Sequence, residues 1–438
     1  MKKSPVAFDA LSFNYQLILF VLTPCFPGQN KTSLVKHLRA MGAHATSSRL
    51  IDNTSIEALI NELVSAGWLT REEHNKQTLL CLQPRMRNPM LLRMFESPDR
   101  FALLKSHTDQ LSAIDPWVAP GSNRLMQDVW LSIIADDGEY LQQSLERLDD
   151  FLPTQQALKL HPFQQLLGDA AGKTLFERLS LPVRQALLDD HLHLSSLLCA
   201  PAEQSYQLAL QSLQQHGNSS LSLQVLLHAL WRCDQATLDG LFGDSKDLMP
   251  NVVTLFAKGA LGDMLAVLRA WMAEVRKQTK KRKIDLPPIL NALYCLALIQ
   301  ENDPKQYPSL KQALQLGSKN GYAAAYNQLL DVLDLLQGSR PEHLYTLPPL
   351  VPGLDGLLLA LALYWLDEPL AKQKAWHEAL QRYAQQLRSN GYPWLAEQYE
   401  ALISRQFGNS TAPLANGVAP LVDLYQRKES WQLALNAL

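Results

Sequence analysis

From about residue 121 one pattern recurs along the chain. Apolar positions fall at i, i+3, i+4 and i+7 within segments of roughly 10 to 18 residues, and each segment is broken by Gly, Pro, Asn or Asp. The spacing predicts amphipathic helices at about Arg124–Ile134, Glu139–Leu148, Ser205–Gln215, Leu221–Trp231, Leu261–Val275, Ile289–Gln300, Tyr322–Leu336, Lys372–Asn390 and Trp394–Phe407. No strand is expected in this region. Short polar connections make successive helices antiparallel neighbours, and a long series of them predicts an irregular tetratricopeptide-like α-solenoid. A consensus period is absent, although Ala323–Tyr326 and Leu361–Tyr364 carry the small-and-aromatic residues such repeats pack with.

The first 95 residues read differently. A helix is expected from Asn14 to Leu22, ending at Thr23-Pro24, and a second from Lys31 to Met41 with Leu34 and Leu38 on one face. A third opens on Thr54-Ser-Ile-Glu57, the signature of a capping box, with Ile56, Leu59, Ile60 and Leu63 at helical spacing. Gly67 stops it. Trp68-Leu69-Thr70, a polar turn and the β-prone Thr78–Leu82 then predict a small hairpin. Three helices and a hairpin give the expected fold class: mainly α, with an N-terminal winged helix-turn-helix ahead of the solenoid.

The domains expected are a winged-helix-like domain over 1–95, connecting helices over 96–150, helical repeats over 151–410, and a loop with a terminal helix over 411–438. Leu421, Leu424, Tyr425, Trp431 and Leu435 suit an amphipathic helix, and the chain stops inside it without a cap. That reads as a piece of something longer.

Composition narrows the function classes. Hydrophobic residues make up 47% and charged residues 19%, which suits a folded chain. The net charge of −2 excludes binding a polyanion through overall charge, so any such contact is local. The run Leu17–Leu22 is too short for a signal peptide core, and no stretch reaches the ~20 apolar residues of a membrane span. A cytoplasmic chain without membrane contact is expected. Five scattered cysteines without a CxxC pair fit reduced thiols better than disulfides or zinc.

Motifs for catalysis do not emerge. Gly168-Asp-Ala-Ala-Gly172-Lys173-Thr174 imitates a phosphate-binding loop but has three residues between its glycines instead of four, and follows a helical pattern instead of a strand. Gly28-Gln-Asn-Lys31-Thr32-Ser33 fails similarly. Asp189-Asp190-His191-Leu192-His193 is the densest ligand-like cluster. At i and i+2 its histidines point to different faces, so it reads as a solvated helix terminus. No catalytic residue, metal site, cofactor or small-molecule ligand is expected.

Candidate binding residues are basic. Lys31, Lys36, Arg39, Arg71 and Lys76 lie in the N-terminal region, where residues 1–100 hold 12 Lys+Arg against 8 Asp+Glu. The third helix, which would enter a groove, offers Asn53, Glu57, Asn61 and Glu62 and no cation, so protein contact and DNA contact both stand. The strongest charge signal is Arg276-Lys277-Gln-Thr-Lys280-Lys281-Arg282-Lys283, six cations in eight residues. Complementing a helix macrodipole explains some of them, and contact with phosphate or an acidic protein would explain all.

This run, followed by Leu286-Pro287-Pro288 and the apolar helix Ile289–Ile299, resembles the N-terminal region of large bacterial Swi/Snf-type helicase-like ATPases. Asn390-Gly391-Tyr392-Pro393-Trp394-Leu395-Ala396 and the stretch Leu421–Leu438 carry further likeness. The resemblance covers the last 180 residues or so, and its motifs are packing patterns and a basic run. It implies a regulatory or targeting module of a DNA-dependent motor, in genome maintenance or defence against foreign DNA, with the ATPase beyond Leu438. The expected partners are DNA at local basic patches and a protein on the helical-repeat surface. A stand-alone transcription regulator and a protein–protein scaffold are the alternatives.

Overall fold

A computed structural model describes residues 8–25, 28–46, 49–74, 77–111, 121–217, 220–281, 283–301, 303–320, 323–336, 353–365 and 370–406. Lys76, Arg282 and the whole of 411–438 lie outside these residues. The chain is mainly helical, and all described strands precede Gln83. It divides into two compact units, 1–194 and 195–438.

The first unit begins with α1 (Phe13–Leu22), β1 (Gln29–Asn30), α2 (Lys31–Ala40), β2 (His44–Thr46), β3 (Arg49–Leu50), α3 (Ser55–Ser65), β4 (Leu69–His74) and β5 (Gln77–Leu82). β1, β5 and β4 form an antiparallel sheet in that order, with Leu69 opposite Leu82 and Gln29 opposite Leu80. β2 and β3 make a separate ladder. Leu17–Leu22, Leu34, Leu38, Ile56, Ile60, Leu63 and Leu79–Leu82 are buried, so the apolar stripes of all three helices meet the inner face of the hairpin.

The expected capping box at α3 does not form. Asp52 takes the role instead: its Oδ1 accepts from the backbone N–H groups of Thr54 and Ser55 at 3.0 and 2.7 Å. Bonds from Ser55, then Thr54, hold its carboxyl down at about 2. Glu57 is thereby released to face other partners.

The unit continues through α4 (Pro84–Phe95), α5 (Pro98–Leu111), α6 (Ser122–Ala135), α7 (Gly138–Phe151), α8 (Thr154–Leu160), α9 (Pro162–Leu166), α10 (Ala170–Arg178) and α11 (Leu181–Leu198), within which the boundary falls. α4 packs on α10, and α6 on α7. The imitation phosphate loop is the turn from α9 into α10. Asp169 caps α10 by accepting from the Gly172 N–H at 2.8 Å. A Cβ on Gly172 would collide with the Leu166 carbonyl oxygen and lie 2.6 Å from Asn88 Nδ2. The glycine serves close packing of backbone on backbone.

The second unit holds α12 (Glu203–His216), α13 (Ser222–Trp231), α14 (Gln235–Phe242), α15 (Leu248–Ala257), α16 (Leu261–Thr279), α17 (Pro288–Glu301), α18 (Tyr307–Asn320), α19 (Ala323–Leu336), α20 (Gly353–Trp365), α21 (Leu370–Ser389) and α22 (Pro393–Gln406). Consecutive helices pack on one another from α12 to α20 and again from α21 to α22. α17 is central: every residue from Leu290 to Ile299 is buried, and its Asn291 donates to the Ala313 carbonyl at 3.1 Å. A nearest-neighbour array would end there. Here α20 also meets α17, and α22 returns to α13. The return is fixed by Asn390 Nδ2 donating to the Cys199 carbonyl at 2.8 Å and by Arg232, whose guanidinium stands 4.8 Å from the Tyr206 ring and 5.4 Å from the Tyr392 ring.

Among the described residues no helix is long and apolar enough to cross a membrane. The five cysteines are free thiols. Burial pushes Cys25 up to about 12 and Cys81 up to about 11, which makes both poor nucleophiles.

Candidate functional site

The basic run closes α16. Met264, Leu265, Leu268 and Met272 bury one stripe of that helix, while Asp263 in its first turn and Arg276 and Lys277 in its last complement the backbone dipole. No glycine is available as a stop. Lys280 itself takes the left-handed conformation, φ 55°, with its N–H bonded to the Arg276 carbonyl at 2.9 Å. The chain is then pinned again by Ile284 and Leu286, both buried, before Pro288 opens α17.

Between these anchors Arg276, Lys277, Lys280, Lys281 and Lys283 are exposed. Among the described residues the ion pair this run makes is Lys277 with Glu274, at 3.7 Å within the same helix. The cations form a solvated, positively charged connection held at both ends. Such an arrangement favours phosphate or carboxylate groups without needing a pocket.

The N-terminal cations are placed differently. Lys31 and Arg71 converge on Glu57 of α3, at 2.8 and 2.6 Å, and Arg71 also donates to Asn61 Oδ1 at 2.7 Å. The Lys31 hydrogen bond, with the charges of Lys31 and Arg71, holds the Glu57 carboxyl below its usual range despite some burial. Arg39 Nε donates to the Ile51 carbonyl at 2.6 Å. Lys36 is exposed. Lys31 and Arg71 thus tie α2 and β4 to α3, and Arg39 ties α2 to the segment that leads into α3. That Glu57 gathers two of them has no signal in the spacing, because its partners lie 26 positions before it and 14 after it.

A third group departs from the sequence expectation. Asp189–His193 is not a solvated terminus; it lies inside α11, with His191 buried and His193 exposed. Opposite faces for the two histidines do follow from their spacing. The inward face meets His161, which is 1% exposed and caps α9: its Nδ1 accepts from the Phe163 N–H at 3.1 Å. The remaining proton therefore sits on Nε2, which donates to Asp190 Oδ2 at 3.0 Å. The His191 ring packs 5.1 Å from His161 and 4.8 Å from Phe163.

Asp149 of α7 completes the group by hydrogen bonding to Asp190. Burial, then the Asp190 charge, pushes Asp149 up to about 8, and burial raises Asp190 as well. Burial pushes His161 and His191 down to about 3. With both carboxyls raised, Asp149 and Asp190 share a proton between them, and Asp190 also accepts from the neutral His161 imidazole. It clamps α7, α9 and α11 with one shared proton. No short motif could reveal it, because its members come from three separate segments.

Among the described residues no group of three or more His, Cys, Asp or Glu side chains is arranged to hold a metal ion. No family model, curated protein or solved structure matches the chain.

Proposed function

We propose that the chain is a non-catalytic binding module that takes duplex nucleic acid through the connection Arg276–Lys283. The observation that carries this is the exposure of five described cations, of which only Lys277 makes an ion pair among the described residues, with Glu274 of its own helix. Phosphates spaced along a backbone suit such a run, and release of their counterions supplies the affinity. The likeness of this segment to Swi/Snf-type accessory regions supports a role beside a DNA-dependent motor, acting as its regulatory or targeting part.

In this reading the N-terminal domain is a winged helix-turn-helix. The element order α1–β1–α2–β2–β3–α3–β4–β5, with a β1–β5–β4 sheet and a short β2–β3 ladder between the second and third helices, supports it. Its third helix contacts protein in preference to a groove, because it carries no cation of its own and its Glu57 already engages Lys31 and Arg71. The antiparallel helix pairs after it serve as a tetratricopeptide-like partner surface.

The test is duplex binding at low salt by the protein and by the variant Lys277→Gln, Lys280→Gln, Lys281→Gln, Lys283→Gln. A loss of about tenfold or more is expected, corresponding to ~1.4 kcal/mol or more. Equal affinity of the two proteins would remove the run from the proposal.

A further inference from the structure

A cavity of about 670 Å³ opens on the second unit where the ends of α12, α13, α14 and α15 meet. Its floor is apolar, made by the buried Leu213, Leu226 and Phe242. Two leucines on its lips, Leu223 and Leu241, remain 39% and 38% exposed. Large apolar side chains left in water at the edge of a concave apolar surface mark a place where another surface is received.

The charges on the lining have one sign. Every ionisable side chain there is an aspartate: Asp239, Asp244 and Asp247. Asp239 is paired with Lys258 at 2.8 Å, whereas Asp244 and Asp247 make no ion pair among the described residues. An acidic helix would meet like charges here, and an uncharged one would leave the aspartates uncompensated.

We propose that this groove receives a cationic amphipathic helix of a partner protein. Aliphatic side chains at i, i+3 or i+4 and i+7 would cover Leu223 and Leu241 and fill the cavity, while flanking Lys or Arg residues meet Asp244 and Asp247. Met249 on the wall, unbranched and polarizable, allows the floor to adjust to different aliphatic partners. The site shares no residue with the basic run, so it stands or falls independently of the nucleic-acid reading.

The experiment uses the full chain and a labelled Leu/Lys amphipathic peptide of roughly 18 residues, five helical turns. Its Leu/Glu counterpart is the control, and binding is read by fluorescence anisotropy. Saturable one-to-one binding of the Leu/Lys peptide is expected, with the Leu/Glu peptide at least about tenfold weaker. Leu223→Ser with Leu241→Ser, and separately Asp244→Asn with Asp247→Asn, should each weaken the Leu/Lys peptide by about tenfold or more. All four positions are exposed, so circular dichroism of the variants should match that of the parent. Absence of saturable binding, equal binding of the two peptides, or binding unchanged in both double variants overturns the proposal.

Discussion

Tyr392 donates its hydroxyl to the carbonyl oxygen of Ala200, 2.6 Å away and 192 positions earlier in the chain. The bond joins the start of α22 to the segment that leads into α12, so the second unit closes on itself instead of ending as an open stack. Tyr392 is fully buried, its ring stands 6.0 Å from that of Trp231, and Gly391 beside it takes φ +85°. Removing the hydroxyl should leave the Ala200 carbonyl without this donor. Tyr392→Phe is expected to destabilise the unit by about 1–3 kcal/mol. Urea unfolding checks this, and an unchanged midpoint would mean that the closure contributes nothing.

The half-buried carboxyl pair gives the first unit a pH signature. Folding raises the Asp149 pKa, so the folded chain keeps a proton that the unfolded chain releases. That stability is present at acid pH and is lost as pH rises from the ordinary carboxylate range through about 8. Asp189, pushed up to about 6 mainly by burial, acts in the same sense lower in the range. His161 and His191, both depressed to about 3 from 6.5, act oppositely, and stability rises with pH until the unfolded histidines are neutral. Between about 6.5 and 8 the carboxyl pair dominates. The melting temperature should fall across that window, and Asp149→Asn, which keeps a donor for Asp190, should flatten the fall. A parent protein with constant melting temperature from about pH 6.5 to about 8.5 contradicts the shared proton.

Helices with a clear apolar stripe are legible in the sequence to within a few residues, as at Leu261–Thr279 and Pro288–Glu301, because burial of one face repeats every turn. The Leu69–Leu82 hairpin is also legible. β1, β2 and β3 are not: two or three residues carry no period, and β1 in addition pairs with the distant Leu79 and Leu80. Asp52 displaces Thr54 as the helix cap because its carboxylate reaches two N–H groups, a geometric matter that spacing alone does not fix. The polar run Asp189–His193 resembles a helix end in sequence because its burial depends on His161 and Asp149, 29 and 41 positions before Asp190. The exposed basic run is legible directly, since solvated charges need no partner to be recognised.

Gly172 provides a test of the imitation phosphate loop. Gly172→Ala would drive a Cβ into the Leu166 carbonyl. A loss of about 1–3 kcal/mol in stability is expected from overpacking, measured by chemical denaturation. No measurable loss would reopen the question of what the glycine is for.

Lys280 separates charge from conformation. A left-handed residue that is not glycine carries a cost of about 1–2 kcal/mol. Lys280→Gly should therefore leave the end of α16 intact or stabilise it slightly, while weakening duplex binding. Thermal melting and a binding titration on the same sample check both halves. Loss of stability would mean that the lysine side chain holds the helix end.

The most direct measurement of nucleic-acid binding by the basic run is its salt dependence. The slope of log K against log salt for a duplex should become shallower by about 0.9 for each phosphate no longer neutralised when Lys277, Lys280, Lys281 and Lys283 are changed to Gln. An identical slope for parent and variant, at any affinity, would contradict the assignment of the Arg276–Lys283 connection as the polyanion site.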